Sequence, residues 1–163
     1  MSSLKPEIAV AAVTAVDGRF LIVEERIRGR LVFNQPAGRV EDRESLIDAV
    51  VRETREETAW QFEPQALLGI YHWRNPDTSV TALRFAFRGA VSDHRPDQPL
   101  DAPVIAAHWL TVDELRQREA ALRNPLVMCC VNDWLAGKGS PLNLIADHDL
   151  AKVARIWPVQ ASS

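Results

Sequence analysis

The chain has 163 residues, of which 47% are hydrophobic and 25% charged, and its formal net charge is −3. This size and composition predict one globular domain over residues 1–163. The chain lacks the excess of basic residues that proteins binding nucleic-acid polymers carry, so we do not expect such a partner. No apolar stretch approaches about 20 residues and the N-terminus lacks the apolar core of a signal peptide, so we expect a cytoplasmic protein that does not span a membrane.

The first third of the chain predicts two paired strands followed by a third strand and a helix. Residues 8–16 alternate small and branched apolar side chains, the Asp-Gly pair at 17–18 is a strong hairpin signal, and residues 19–25 return as the second strand. Residues 31–33 predict a short strand. A loop then delivers the chain to a helix over residues 45–58.

The remainder of the chain predicts three more strands and two short helices. The strands lie over residues 67–73, 80–90 and 105–110. Thr111 and Glu114 form a capping box that opens one helix, and the Asn-Pro pair at 124–125 opens the other, which runs to residue 135. Strands and helices in this order predict an α/β sandwich, with helices on the faces of the sheet.

The predicted helix over residues 45–58 carries carboxylates on its apolar face. At 100° per residue, the apolar stripe comprises Leu46, Ala49, Val50 and Thr54. Glu53 and Glu57 fall inside this stripe, and Glu56 lies at its boundary. The predicted solvent side comprises Asp48, Arg52 and Arg55. An ordinary run of charges would occupy that solvent side instead.

Carboxylates on an apolar face need a compensating cation. An unpaired buried carboxylate costs several kcal/mol, so the compensation comes either from arginine or lysine side chains or from a bound metal ion. Several carboxylate oxygens suit Mg²⁺ or Mn²⁺ and do not suit zinc.

One spacing pattern includes this helix and the loop before it. Gly38 is followed by Glu44 and then, after seven residues, by the run Arg-Glu-Thr-Arg-Glu-Glu at residues 52–57. This pattern resembles the Nudix box, the signature of hydrolases that cleave diphosphates linked to another moiety. The resemblance implies a Nudix-type α/β/α sandwich with a mixed sheet.

Three positions depart from the family pattern without removing a carboxylate. They are Thr54, Ala59 and Trp60. The family has glycine at position 59, where a left-handed conformation ends the helix at little cost. Ala59 is therefore expected to end the helix differently or to cost about 1 kcal/mol.

The resemblance also implies roles for the side chains of the helix. The implied metal ligands are the carboxylates of Glu53, Glu56 and Glu57 and the backbone carbonyl of Ala37. They would hold Mg²⁺, with Mn²⁺ as the alternative ion, and one of the three acids would act as general base. Arg52 would orient Glu53, and Glu44 would hold the loop and the helix together. For Arg52 the alternative is ordinary ion pairing along the helix, with Asp48 or Glu56.

Other acidic positions are weaker candidates for the metal site. Many members of the family place a further acid on a downstream loop, and Asp101 is the candidate here, with a solvated turn aspartate as the alternative. The Asp-His-Asp cluster at residues 147–149 is interpreted as a surface turn and not as a metal site.

Four side chains outside the helix are candidates for substrate binding. They are Arg28, Arg30, Arg84 and His72. The first two follow the second strand and would clamp terminal phosphates, although loop arginines also serve solubility alone. Arg84 lies opposite the apolar residues of its strand, so it points either into a ligand cleft or to solvent. His72 lies between Tyr71 and Trp73, and one of these three rings would stack on a base, with core packing as the alternative for Trp73.

The resemblance to the Nudix family extends over most of the chain. The segments FNQPAG at 33–38 and IYHWRNPD at 70–77 are similar to its NudJ branch, phosphatases of nucleoside di- and triphosphates and of a thiamine-precursor pyrimidine diphosphate. We therefore expect metal-dependent hydrolysis of phosphoanhydride bonds in small phosphorylated metabolites, foremost nucleoside di- and triphosphates, by a monomer or homodimer. The alternatives are a pyrophosphatase of ADP-ribose or dinucleoside polyphosphates, and a catalytically silent module that binds a nucleotide.

Overall fold

The computed structural model describes residues 5–146. Within this range lie eight strands and three α-helices, in the order β1 Glu7–Val13, β2 Ala15–Val16, β3 Arg19–Ile27, β4 Arg30–Asn34, β5 Ala37–Arg39, α1 Leu46–Thr58, β6 Gln61–Arg74, β7 Thr81–Ser92, β8 Val104–Thr111, α2 Val112–Gln117 and α3 Leu126–Leu135. The predicted surface turn at 147–149 lies outside the described residues. None of the helices within residues 5–146 is long and apolar enough to cross a membrane.

The strands form two sheets. The first has the order β5-β1-β7-β6, in which β1 and β7 run parallel and the other neighbours antiparallel. In the second, β3 pairs antiparallel with β2, β4 and β8. The first sheet is therefore mixed, as predicted.

Strand β1 is buried on both faces because the first sheet lies between two apolar cores. Val10 and Ala12 pack in the core that includes Ala49 and Val50 of helix α1. Ala11 lies on the other face, in a core that includes residues of β3, α2 and α3. Helices thus cover both sides of the strands, and the predicted α/β/α sandwich is confirmed.

The predicted opening hairpin is only partly present. The two-residue strand β2 does pair with the start of β3 across the Asp-Gly turn. Strand β1, however, belongs to the first sheet and β3 to the second, so these two long strands are not partners. The chain leaves β1 at buried Thr14, whose carbonyl accepts a hydrogen bond from the Leu21 N–H at 3.1 Å. The sequence pattern of a hairpin is two apolar strands joined by a tight turn. This pattern is the same whether or not the two strands pair in one sheet.

Helix α1 begins and ends close to its predicted limits. Ser45 is the N-cap and accepts a hydrogen bond from the Asp48 N–H at 3.0 Å. Ala59 follows the last turn in the left-handed conformation, with φ 60°, so the helix ends as it would with glycine despite the methyl group. The predicted capping box of α2, formed by Thr111 and Glu114, is confirmed.

Strand β5 was not predicted, because Ala37-Gly38-Arg39 has no apolar alternation. It is an edge strand that pairs with residues 9–11 of β1. This pairing places the segment against helix α1, where the acids lie.

Candidate active site

The acidic face of helix α1 lies directly against strand β5. The Ala37 N–H donates a hydrogen bond to the Glu57 carboxylate at 2.8 Å. Gly38 touches the Glu53 carboxylate so closely that a Cβ atom at position 38 would overlap it. The glycine of the motif therefore leaves the space that the Glu53 carboxylate occupies.

Arg52 connects the acids to the loop before the helix. Its Nε and Nη2 atoms donate to the two carboxylate oxygens of Glu44 at 2.7 and 2.9 Å, and Nη2 also donates to the Arg39 carbonyl at 3.1 Å. Its Nη1 atom donates to Glu53 at 2.9 Å and to Glu56 at 3.0 Å. The predicted contacts of Arg52 with Glu53, of Glu44 with the helix and of Arg52 with Glu56 are thus all present.

The prediction of which residues of helix α1 face solvent is partly wrong. Arg52 and Arg55 are only 23% and 19% exposed in their side chains, because both cross from the helix to neighbouring loops. Arg55 bonds the Asp93 backbone carbonyl at 3.0 Å and its carboxylate at 3.2 Å. Asp48 alone of the three is exposed, and it pairs with Ser45 and not with Arg52.

The acids of the helix and of the loop before it differ in how well their charges are compensated. The Arg52 hydrogen bonds lower the pKa of Glu44. For Glu53, burial raises the pKa although Arg52 opposes the shift. Burial raises the pKa of Glu57 to about 8, with the Ala37 N–H opposing and the nearby Glu53 and Glu25 adding to the rise. Among the described residues no arginine or lysine forms an ion pair with Glu57.

The chemistry of this donor set fits a hard divalent cation. Glu53, Glu56 and Glu57 offer only oxygen atoms, and the buried carboxyl group of Glu57 lacks a side-chain counterion. Within residues 5–146, however, the structure does not bring three or more acidic, histidine or cysteine side chains close enough together to hold a metal ion. The reason is that Arg52 holds Glu53 and Glu56 while the Glu57 carboxylate faces the Ala37 N–H.

A cavity of about 410 Å³ opens beside β5 and contains part of the predicted substrate-binding set. Its wall includes Ala37 and Gly38, and also Arg28, Arg84 and Trp73. Arg84 is 7% exposed and lines this cavity, so it lies at the cleft and not in solvent. The volume is in the range of small-ligand sites.

Two predicted substrate-binding residues lie elsewhere. Arg30 is exposed at the start of β4 and does not line the cavity, whereas Arg28 does, from the tight turn before it. His72 is exposed and pairs with Leu83, which places it on the face of the sheet opposite Arg84. Placing His72 in the site was therefore wrong, and its neighbour Trp73 reaches the cavity wall instead.

Sequence reasoning missed other polar residues of the wall. Glu25, Asn34 and Arg123 line the same cavity, and Glu25 and Asn34 are buried. The sequence pattern could have indicated Glu25, because this charged residue lies on the same strand face as Val23 and therefore at a core position. Asp101, the candidate downstream acid, is exposed and does not line the cavity, although its N–H donates to the Glu56 carbonyl at 3.0 Å.

Comparison with known proteins agrees with this architecture. A model of the NUDIX domain matches residues 4–128. The chain belongs to the Nudix family. It is 37% identical over 154 residues to Phosphatase NudJ of Escherichia coli (strain K12), and the alignment covers 94% of this chain and 95% of that relative.

Solved structures of Nudix proteins show the same fold. A NUDIX hydrolase from Nitrosomonas europaea is 45% identical, with a TM-score of 0.88, and the match covers 90% of this chain and 99% of that chain. A MutT NUDIX hydrolase from Burkholderia pseudomallei is 21% identical, with a TM-score of 0.67 over 79% of this chain and 98% of that chain, and shows similarity of fold alone. Family membership and the NudJ relative support a hydrolase activity for this Nudix chain.

Substituting Gly38→Ala should displace the Glu53 carboxylate without unfolding the protein. The new methyl group would overlap the far end of a flexible side chain, so we expect hydrolase activity to fall at least about tenfold while the free energy of unfolding falls by about 1–3 kcal/mol. Phosphate release and urea unfolding measure the two quantities. Gly139→Ala is the matched control, because a Cβ there meets only Arg88 and Ala66, away from the acids. Full activity in Gly38→Ala would show that the position of Glu53 is unimportant.

The raised pKa of Glu57 predicts how stability depends on pH in the presence of a chelator. The folded state holds the Glu57 proton up to about pH 8, whereas an ordinary glutamate releases it near 4.5. The contribution of this group is therefore complete below about pH 4.5 and is lost as pH rises through about 8. We expect the free energy of unfolding of the wild type, relative to Glu57→Gln, to fall across this window in urea titrations. A difference independent of pH would mean that Glu57 is ionised throughout.

Proposed function

We propose that this Nudix protein is a divalent-metal-dependent hydrolase of phosphoanhydride bonds in nucleoside di- and triphosphates. One observation carries the proposal: Glu57 and Glu53 contact Ala37 and Gly38, and these two residues line a cavity whose wall also includes Arg28 and Arg84. Similarity to Phosphatase NudJ supports it. A single domain over residues 1–163, a cytoplasmic location and a monomer or homodimer stay predictions.

The acids of α1 would hold the metal ion. The proposed ligands are Glu53, Glu56, Glu57 and the Ala37 carbonyl, with Mg²⁺ as the expected ion and Mn²⁺ as its alternative. When bound, such an ion neutralises phosphoryl oxygens and lowers the pKa of a bound water.

Side chains around the proposed metal site position its ligands. Arg52 restrains the carboxylates of Glu53 and Glu56 through one nitrogen, which limits the rotamers open to them. Glu44 holds Arg52 with two hydrogen bonds and also accepts one from the Glu41 N–H at 3.0 Å, which ties the loop to the helix. Burial raises the pKa of Glu57 to about 8, so a metal ion bound there would displace a proton from this carboxyl group.

The cavity arginines favour a substrate with an exposed phosphate. Arg28 and Arg84 carry guanidinium groups, which pair well with phosphate oxygens. A catalytically silent module is the less suitable alternative, because three acids would repel a polyanionic ligand unless a metal ion were bound with it. ADP-ribose and dinucleoside polyphosphates remain the alternative substrates, and they lack a terminal phosphate.

Substituting Glu57→Gln should abolish most of the activity while preserving the fold. The amide can still accept the Ala37 hydrogen bond, but the charge is lost, so turnover of a nucleoside diphosphate should fall about 100-fold or more. Millimolar Mg²⁺ should raise the Tm of the wild type more than that of the variant. Phosphate release and thermal melting are the measurements.

The matched control is Glu63→Gln, an exposed glutamate of β6, which should keep both properties of the wild type. Near-normal turnover in Glu57→Gln would assign the acidic helix a structural role. A Tm of the wild type that responds to neither Mg²⁺, Mn²⁺ nor chelator would show that Arg52 and its neighbours already compensate the acids.

Arg28 and Arg30 provide a matched pair for the substrate class. Arg28 lines the cavity and Arg30 does not, so Arg28→Ala should lower the ratio of kcat/KM for GDP to that for ADP-ribose at least about tenfold, and Arg30→Ala should leave it unchanged. The wild type should prefer GDP. Preference of the wild type for ADP-ribose would refute the substrate class and leave the Nudix chemistry intact.

A further inference from the structure

Among the described residues, the indole ring of Trp73 lacks the aromatic or cationic partner that the other tryptophans have. Within residues 5–146, Trp60, Trp109 and Trp134 each contact another ring. In the same part of the chain Trp73 belongs to neither apolar core. It is partly exposed and lines the cavity beside β5. Core packing, the alternative expected for this tryptophan, is therefore not its role, and the ring is open to a ligand.

The two aromatic residues before Trp73 are not available to a ligand in the cavity. The Tyr71 hydroxyl donates a hydrogen bond to Asp133 at 2.8 Å, and the ring packs against the core that includes Ala11. His72 is exposed on the other face of the sheet. Of the three rings expected to stack on a base, Trp73 is the one that the structure places at the cavity wall.

Small residues leave room beside the Trp73 ring. Trp73 pairs with Ala82 of β7, and Ala82 pairs in turn with Glu7 of β1. Ala9 lies two residues further along β1 and therefore on the same face of the sheet. All of these residues line the cavity. Alanine side chains rise little above the sheet, so the cavity floor beside the indole ring is flat and apolar, and a planar ring can lie on it.

The order of residues along the sheet determines which end of a ligand meets Trp73. Three cross-strand rows of this face lead away from the acids. The first contains Ala37, whose N–H binds Glu57, the second contains Arg84, and the third contains Trp73. Successive rows are two residues, or about 7 Å, apart along the strands. The wall therefore runs from the acids past a guanidinium group to an aromatic ring, and a nucleotide has the matching order of reacting phosphates and distant base.

We propose that Trp73, with Ala82 and Ala9 beside it, forms a base-stacking subsite at the end of the cavity remote from the acids. The nucleobase lies against the indole ring, and the phosphates extend past Arg84 towards helix α1. Every nucleobase offers a flat π face, so this subsite recognises the presence of a base and does not select one base. The assignment rests on the proposed function for the reaction, but binding of a nucleotide that contains no anhydride bond tests it separately.

The first experiment compares Trp73→Leu with His72→Leu in the full-length protein. Both variants replace a ring of β6 by leucine, but His72 lies on the opposite face of the sheet and is a matched control. Ribose 5-diphosphate is GDP without its base. The ratio of kcat/KM for GDP to that for ribose 5-diphosphate should fall at least about tenfold in Trp73→Leu and stay unchanged in His72→Leu. An equal loss for both substrates, or no loss, overturns the subsite.

Two further variants separate stacking from a structural role of Trp73. Trp73→Phe keeps an aromatic face and should retain most of the wild-type ratio. Ala82→Leu leaves the indole ring intact but fills the floor on which the base lies, so it should lower the same ratio. A ratio in Ala82→Leu equal to that of the wild type would mean that the base lies elsewhere.

The distance of Trp73 from the acids predicts that its loss acts on KM. Stacking is the same in the ground state and the transition state, because the reaction takes place at the phosphates. Trp73→Leu should therefore raise KM for GDP about tenfold and change kcat by less than about threefold. The increase should be similar for ADP and CDP. A fall in kcat at constant KM, or an effect confined to one base, contradicts the proposal.

Binding of GMP, measured by calorimetry, separates this proposal from the proposed function. GMP keeps the base and contains no phosphoanhydride bond. Weaker binding of GMP to Trp73→Leu than to the wild type and His72→Leu supports the subsite even if the wild type hydrolyses no nucleotide. Equal binding of GMP to the three proteins, or none, removes the subsite, and hydrolysis of GDP by the same wild type leaves the proposed function standing. Thermal melting verifies that each variant is folded.

Discussion

The contacts of the Arg52 guanidinium hold the acidic site together. This one group donates to Glu44, Glu53 and Glu56 and to the backbone carbonyl of Arg39, and so joins the end of β5, the following loop and two turns of α1. Arginine suits this position because its planar group offers five donors and stays charged in proteins. Strand β5 in turn contacts the carboxylates of Glu53 and Glu57.

Arg52 supplies one positive charge to a group of acids that carries more than one negative charge. It donates to Glu53 and Glu56 through the same nitrogen, and Glu57 receives a backbone N–H alone. Burial raises the pKa of Glu57, and the neighbouring carboxylates of Glu53 and Glu56 add to the rise. The balance is different in the cavity beside β5, whose wall includes four arginines and two glutamates. A basic cavity next to a group of acids is suited to an anionic ligand that binds together with a cation.

The cavity exists because two sheets meet beside the acidic helix. Arg84 comes from the mixed sheet and Glu25 from the antiparallel sheet, and they are far apart in sequence. The chain changes sheets at Thr14, between β1 and β2, and this departure from a simple hairpin allows β3 to face the mixed sheet. The same feature that made the opening hairpin only partly correct therefore contributes to the pocket.

The sequence alone predicted the elements and the chemistry that depend on local spacing. Helix α1 and the inward position of Glu53 and Glu57 follow from a period of 3.6 residues, and the capping box at Thr111 follows from a spacing of three. Residues 37–39 escaped detection, because an edge strand without apolar alternation is stabilised by its partner.

Tertiary structure alone decided which distant side chains share the cavity. The sequence does not distinguish His72 from Trp73, and only the register of β6 with β7 places Trp73 at the cavity wall. It does not distinguish Arg28 from Arg30 either, and only the turn after β3 places Arg28 there. Glu25, Asn34 and Arg84 belong to no local motif, since strands from two sheets bring them together. A helical period is a property of neighbouring residues, whereas a cavity wall depends on the pairing of strands that are remote in the chain.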